Sequence, residues 1–456
     1  MNIHVFRSFK RQFSVRSVRN TRCLPKPDYG PMEVQRSVLL NGIKVAAAKP
    51  LGAQISACTI MYQAGSRYER DDQLGASHFI RAASSASGCG YSAFIKMRYL
   101  QQHGASITCT SDRQSVAFTL RCPLPVFSDL KYHLLDTAAR CCYHKWELDD
   151  RRSLIRDDLV RIHPEQRVID LVQKACWSGP LGNSIFCEEE RIGSMSSESM
   201  TCFAKTNFRS SECTVASVGV PFEETLKLAE LIEYKREMPE SRVDVMSRPR
   251  GGFEYHDLGV SSDTWIAVAV PSCGTCEISC LIKHAIVAAA CGTGSMQVGQ
   301  HVLDRTPQHP LGLMSGNDIF TEYKAFNISY SDTGVFGIVA KTRAATARNA
   351  AIAAAEFLSN VGDLDFQQID VGKKRLTLHD EDCTKLTEGL ALQLANNVQI
   401  DSARTSMCMI DLLCNDEISC TAKALSCKAG QMAVAVVGDV GAVPNDRELV
   451  YGVASK

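Results

Sequence analysis

The chain has 456 residues, of which 45% are hydrophobic, and its 50 Lys and Arg residues balance 50 Asp and Glu residues. This length predicts roughly two or three domains with an ample buried core, and the balanced charge excludes the basic field typical of nucleic-acid-binding proteins. The most apolar stretch, Ala285–Cys291, is far shorter than the ~18 residues of a membrane-spanning helix. We therefore expect a folded protein that does not cross a membrane by itself.

The 20 cysteines are spread through the whole chain, and no secretory signal precedes them. Small domains that depend on disulfides are short and dense in cysteine, which this chain is not. We therefore expect most of the thiols to be small buried apolar groups in a reducing compartment.

The amino-terminal segment has the composition of a targeting signal. Its first 22 residues contain six Arg and Lys residues, several serines and no acid, and three phenylalanines share one side of a helix drawn over it. This composition is typical of a mitochondrial transit peptide, with a disordered basic tail as the alternative. We expect residues 1–13 to form the transit peptide, with cleavage after Phe13 and residue 22 as its furthest extent.

After this segment the sequence alternates strand-like and helix-like patterns. Apolar residues four apart predict helices, alternating apolar and polar residues predict strands, and an Asn-Gly pair predicts a tight turn. In chain order, these patterns predict a hairpin over Val38–Ala46, a strand over Ile55–Tyr62, helices over Asp71–Ser84 and Tyr91–His103, paired strands over Ile107–Thr110 and Ser115–Arg121, and mainly helix from Val126 to Lys174.

The two halves of the sequence resemble each other. Thr214–Gly219 matches Ala433–Gly438 at an offset of 219 residues, and Ser111–Asp112 matches Ser331–Asp332 at an offset of 220. Two matches at nearly one offset favour a duplicated α+β domain of about 200 residues. We therefore predict a first domain over residues 33–234, a linker over residues 235–250 and a homologous second domain over residues 251–456.

One predicted helix carries an incomplete zinc motif. Gly75–Ala82 resembles the inverted motif H-x-x-E-H of the mitochondrial processing peptidase and insulin-degrading enzyme family. In that motif, two His four residues apart hold Zn²⁺ and the Glu activates water. His78 matches the first ligand, but Arg81 occupies the position of the Glu and Ala82 that of the second His.

The family takes its third zinc ligand, a Glu, from a helix about 75 residues further along. The corresponding stretch here offers only the shorter carboxylates of Asp157 and Asp158. One His and one Asp do not complete a three-ligand catalytic site, and Arg81 is a permanent cation that cannot act as a base. The resemblance therefore implies a degenerate peptidase site, His78, Arg81, Ala82 and Asp158, without catalytic residues, bound metal or cofactor.

The second half of the sequence resembles one particular group within this family. Ala325–Gly337 closely resembles a stretch of the core proteins of the mitochondrial cytochrome bc1 complex, which share the peptidase fold but lack its catalytic centre. Gln300–Leu303 and Leu181–Asn183 are also similar to that pattern. The resemblance implies two homologous peptidase-like α/β domains, each with a mixed antiparallel sheet and packed helices, that together form a bowl.

The same resemblance implies a function and a location. It predicts a non-catalytic core or scaffold subunit of respiratory complex III, peripheral to the mitochondrial inner membrane on its matrix side. The expected partners in that dimeric complex are core protein 1, cytochrome b, cytochrome c1 and the Rieske subunit. No nucleic-acid partner and no cofactor of the chain's own are expected.

Three other functions remain open at this point. A presequence-binding alpha subunit of the processing peptidase would carry a dense glycine-rich loop, whereas the glycines of Cys291–Gly316 are separated. An active metallopeptidase lacks its Glu and second His. A redox role would rest on Cys273 and Cys276, a C-x-x-C pair followed by Cys280, but spacing alone is a weak signal. A structural zinc site would need a second Cys or His pair, and the sequence places none suitably.

Overall fold

The computed structural model describes most of the chain. The described residues are 34–48, 54–232, 246–292, 310–314, 318, 320–377, 383–398, 403–444 and 448–449. The predicted transit peptide, the Gln300–Leu303 motif, most of the predicted linker and most of Cys291–Gly316 lie outside these ranges.

The elements of the first half are strands β1 (Val34–Val38), β2 (Lys44–Ala48), β3 (Ile55–Tyr62), β4 (Ser106–Ser111), β5 (Val116–Pro123), β6 (Trp177–Ser178) and β7 (Cys213–Val218), and helices α1 (Ala76–Ala83), α2 (Ala93–Gln102), α3 (Phe127–Ala139), α4 (Lys145–Arg161), α5 (Pro164–Cys176), α6 (Ser197–Asn207) and α7 (Phe222–Glu230).

The elements of the second half are strands β8 (Arg248–Pro249), β9 (Gly252–Asp257), β10 (Asp263–Cys273), β11 (Glu322–Ser329), β12 (Thr333–Arg343) and β13 (Ala433–Gly438), and helices α8 (Ile278–Cys291), α9 (Pro310–Met314), α10 (Ala344–Ser359), α11 (Phe366–Thr377), α12 (Cys383–Ala395), α13 (Ala403–Leu412) and α14 (Asn415–Ser426).

Each half builds one mixed sheet, and the two sheets share a topology. The first has the strand order β1-β2-β7-β3-β5-β4 and the second β9-β13-β10-β12-β11. In both, one parallel pair (β2 with β7, β9 with β13) is followed by antiparallel neighbours. The predicted α+β fold is confirmed, and β7 and β13, which contain most of the matching Thr214–Gly219 and Ala433–Gly438, occupy the same place in their sheets. The domain limits stay a prediction.

Each sheet packs against a helix that comes from the other half of the chain. In α5, Val168 and Val172 are buried against apolar side chains of β10, β12 and β13. In α12, Leu390 and Ala391 are buried against β2, β3, β5 and β7. The two helices are equivalent by sequence position, since Pro164 to Cys383 and Cys176 to Ala395 both give an offset of 219 residues. The two halves therefore share their cores by exchanging one helix each.

Several predicted bounds are confirmed and one is wrong. The hairpin turns at Asn41-Gly42, with Gly42 at a φ of 85°, and β3 covers the predicted Ile55–Tyr62. The helix predicted from Asp71 begins only at Ala76. Gly75 has a φ of 97°, which a right-handed helix does not contain, so the helical spacing upstream of Gly75 is not realised as helix.

The cysteines are less buried than predicted. Seventeen of the described cysteines are free, but six of these are buried, six are half-buried and five are exposed, and Cys89 forms a disulfide with Cys142. Four of the exposed thiols lie on or directly beside α13 and α14, so the prediction that most thiols are buried is wrong for the described residues. Among the described residues, no helix has the length and apolar character needed to span a membrane.

Candidate functional site

The helix that carries the remnant motif is held at its start by a buried acid. Glu69 Oε2 accepts a hydrogen bond from the Gly75 backbone N–H at 2.8 Å, and Oε1 accepts one from Ser77 N–H at 2.7 Å. These are backbone donors that the first turn of a helix leaves unpaired. Burial raises the pKa of Glu69 to about 7, against the opposing effect of these bonds. Glu69 thereby fixes α1 so that His78, in its first turn, faces the interior.

Both ring nitrogens of His78 have partners. The Cys187 backbone N–H donates to Nδ1 at 3.1 Å, and because a backbone N–H can only donate, Nδ1 must accept. The neutral ring then carries its proton on Nε2, which donates to Asp158 Oδ2 at 3.2 Å. The His78 side chain is fully buried. In this tautomer neither nitrogen has a free lone pair for a metal ion.

Arg81 brings a positive charge to the position that the motif predicts for the peptidase base. Its guanidinium lies 3.7 Å from Asp158 Oδ2, donates to Ser111 Oγ at 3.1 Å and stands over the ring of Phe186, 5.6 Å from its centroid. Ala82 offers only a methyl group at the position predicted for the second His. The structure thus brings His78, Arg81 and Asp158 together, in a cluster whose charges already compensate one another.

Of the two candidate acids, only Asp158 has contacts of this kind. Its carboxylate reaches both His78 and Arg81 from α4, whereas Asp157, its neighbour on the same helix, is exposed. The carboxylate of Asp158 remains 58% exposed. The residues present do not fit a zinc ion, because one of the two donors lacks a free lone pair and a guanidinium already neutralises the other.

The surroundings of His78 favour its neutral form. Burial, together with the Arg81 cation, lowers the pKa of His78 to about 4 against the opposing effect of Asp158. The ordinary pKa of a histidine, about 6.5, describes the unfolded chain. Between about pH 6.5 and 4, His78 is therefore protonated in the unfolded state but mostly neutral in the folded state. The free energy of unfolding consequently decreases as the pH falls through this range.

We expect this loss to appear in the difference between the wild type and His78→Gln, whose amide can keep both hydrogen bonds but does not titrate. The stability of the wild type relative to this variant should fall by about 3 kcal/mol between pH 7 and pH 4. Urea unfolding at a series of pH values measures it. Because Glu69 titrates in both proteins, its opposite effect cancels. Parallel pH profiles would contradict the assignment.

Cavities lie beside this cluster, between the two halves of the chain. One of about 530 Å³ is lined by Arg81, Asp158 and Phe186 from the first half and by Ile328 and Tyr330 from the second. A neighbouring one of about 880 Å³ lies between α4, α5 and β9. Arg81 and Asp158 therefore line a cavity to which both halves of the chain contribute.

Comparisons with known proteins agree with this architecture. Residues 44–189 match the model of the insulinase family, peptidase family M16. A chain of "Complex III2 from Candida albicans, Inz-5 bound" superimposes with a TM-score of 0.74 at 15% identity, covering 92% of this chain and 99% of that one. The chain has the M16 peptidase fold. The resemblance predicted from the sequence is confirmed.

Curated relatives extend the similarity along the rest of the chain. The human cytochrome b-c1 complex subunit 2, mitochondrial, is 24% identical over 97% of this chain and 98% of its own length. The mitochondrial-processing peptidase subunit alpha of Solanum tuberosum is 22% identical over 92% of this chain and 85% of its own. The similarity thus covers both halves, including the second, which the family model does not reach.

Sequence reasoning missed several long-range contacts of α1 and of the segment before it. Arg67 forms a two-bond ion pair with Asp332, at 2.7 Å for each bond, which joins the segment before α1 to the β11–β12 turn of the other half. Phe186 and Cys187 reach α1 from a loop more than a hundred residues away. The charge of Arg67, just before the motif, could have indicated an ion pair. A backbone contact such as that of Cys187 leaves no signal in the sequence.

Proposed function

We propose that this chain is a non-catalytic core subunit of a mitochondrial respiratory complex III, where it acts as a scaffold for the electron-transferring subunits. The single observation that carries the proposal is the similarity to cytochrome b-c1 complex subunit 2 over 97% of the chain. In this function the chain sits on the matrix side of the inner membrane, in a dimeric complex beside core protein 1, cytochrome b, cytochrome c1 and the Rieske subunit.

The geometry around His78 supports the non-catalytic part of the proposal. A peptidase of this kind needs a metal-bound water and a base beside it. Here His78 donates to Asp158, and Arg81, which cannot accept a proton, takes the position of the base. The cluster is better suited to holding α1 against α4 than to hydrolysis.

Exposed apolar side chains support a role in an assembly. On α2, Phe94, Ile95 and Met97 are 50–70% exposed, and on α4 Trp146 and Val160 are 66% and 85% exposed. Permanent subunit interfaces are more apolar than ordinary protein surfaces, and such side chains are buried when the partner binds. These two helices are the described elements we expect to face neighbouring subunits.

The second candidate is a presequence-binding alpha subunit of the processing peptidase, favoured by the similarity to the Solanum tuberosum protein and by the cavities between the two halves. A cell lacking this chain separates the two functions. For the scaffold, we expect assembled complex III and its ubiquinol–cytochrome c reductase activity to fall at least about tenfold, because a core interface would be missing. Matrix precursors should still be cleaved normally.

The rescue arm of this experiment tests the absence of catalysis. Expression of His78→Gln should restore complex III as fully as the wild type, because a residue without a catalytic role tolerates an amide that can keep its two hydrogen bonds. Failure of the variant to rescue, at equal protein level, would argue for chemistry at His78. Accumulation of uncleaved precursors with complex III intact would overturn the scaffold proposal in favour of the processing peptidase.

A further inference from the structure

Two thiols and an imidazole converge in the second half, far from the remnant motif. The Nδ1 atom of His284 lies 3.2 Å from Cys273 Sγ and 3.6 Å from Cys280 Sγ. The three ligand atoms all lie within 4.8 Å of one another. With a Zn–S distance of about 2.3 Å and a Zn–N distance of about 2.0 Å, neighbouring N and S ligands of a tetrahedral ion are about 3.5 Å apart. The spacing of this cluster therefore already matches a coordination sphere.

Secondary structure fixes each of the three ligands. Cys273 is the last residue of β10, which pairs along its whole length with β12. Cys280 and His284 are four residues apart on α8, so they share a face of the helix. Gly274 lets the connecting loop approach the backbone of Asp332 closely, since a Cβ there would lie 2.6 Å from the Asp332 carbonyl carbon.

We propose that Cys273, Cys280 and His284 form a structural site for a thiophilic divalent metal ion of the zinc type. Two thiolates and one imidazole are the ligands that such an ion prefers over harder cations. Water would have to supply the fourth ligand, because the nearby Cys276 is exposed and its thiol donates to the Ser331 carbonyl oxygen instead. This proposal differs from the prediction made from the sequence, which was that the chain contains no metal ligands.

Binding a metal ion would change the protonation of all three ligands. It would release the protons of both thiols, and the two thiolates would neutralise the two positive charges of the ion. His284 is buried, and because a carbonyl oxygen can only accept, its Nδ1–H donates to the Cys280 carbonyl oxygen at 2.8 Å in this structure. Metal binding would move this proton to Nε2 and replace that hydrogen bond, so that the Nδ1 lone pair faces both sulfur atoms. No oxidant or further reactant is needed.

The expected consequence is a metal that ties β10 to α8 beside the contact between the two halves. The loop through Gly274 lies against Asp332, which binds Arg67 of the first half. An ion held at Cys273, Cys280 and His284 would therefore stabilise the turn on which that ion pair depends.

The test measures zinc in the full-length protein, purified under reducing conditions in the assembly it forms. After chelator treatment, dialysis against Zn²⁺ and removal of free ion, we expect one Zn per chain by elemental analysis. The zinc absorption edge should give two sulfur neighbours at about 2.3 Å, a signal that haem iron does not obscure. Cys280→Ser and His284→Gln should each weaken zinc binding at least about 100-fold and abolish the rise in Tm on zinc addition.

Two matched controls make the result specific. Cys420→Ser removes an exposed thiol on α14, and His78→Gln removes the histidine of the remnant peptidase motif. Both should bind zinc as the wild type does. Retention of less than one Zn per ten chains by the wild type, or equal binding by Cys280→Ser, would overturn the proposal, and so would loss of zinc in His78→Gln with the cluster intact. None of these outcomes bears on the scaffold function.

Discussion

Val172→Asp on α5 is expected to destabilise the sheet of the second half more than the sheet of its own half. Val172 is fully buried among side chains of β10, β12 and β13, and an unpaired carboxylate there costs several kcal/mol of folding free energy. Hydrogen exchange followed by mass spectrometry should show the largest loss of protection in β10 and β13.

The equivalent residue of α12 provides the reciprocal variant. Ala391 stands 219 positions after Val172 and is fully buried against the first sheet. Ala391→Asp should therefore increase hydrogen exchange in β3 and β7. In this case a substitution in the second half destabilises the sheet of the first half. Gln166→Asp on α5 and Leu392→Asp on α12 change exposed positions of the same helices and should have little effect. Losses confined to the half that carries each substitution would contradict the helix exchange.

Local patterns predicted the strands well because neighbouring residues determine them. Alternation and the Asn-Gly turn were enough for the first hairpin and for β3. The duplication could be detected because two buried strands, β7 and β13, keep similar residues at the same place in their sheets. The exchange of α5 and α12 could not be predicted, since an apolar helix face does not indicate which of two similar sheets it will cover.

The candidate site shows the same division between local and distant information. The sequence itself predicts the loss of the Glu and of the second His, at Arg81 and Ala82. The state of His78 depends on Cys187 and Asp158, which the fold brings to it from 109 and 80 residues away. The sequence indicates only part of the thiol–imidazole cluster. Cys280 and His284 have the four-residue spacing of a helical ligand pair, but only the fold brings Cys273 to them.

A buried ion pair between Asp170 of α5 and Arg113 should make a large contribution to the stability of the folded chain. Arg113, in the turn between β4 and β5, lies 2.7 Å from Asp170 Oδ1 and donates to the carbonyl oxygens of Asp170 and Leu181. Both side chains are almost completely buried. Although burial alone would lower the pKa of Arg113, the Asp170 carboxylate holds it above its usual value. The pair therefore fixes α5, and with it the packing between the halves, at the cost of two desolvated charges.

Arg113→Met should destabilise the folded chain by about 3–5 kcal/mol, because the Asp170 carboxylate then remains buried with only its bonds from Ser184 and Ile185. Urea unfolding measures this loss, and Arg156→Met, at an exposed arginine of α4, should stay within about 0.5 kcal/mol of the wild type. Adding Asp170→Asn to Arg113→Met removes the buried negative charge that has lost its partner. The double variant should consequently be more stable than the sum of the two single losses predicts, since residues in contact do not act independently. Additive losses would show that Arg113 acts through its carbonyl contacts alone and not through the charge of Asp170.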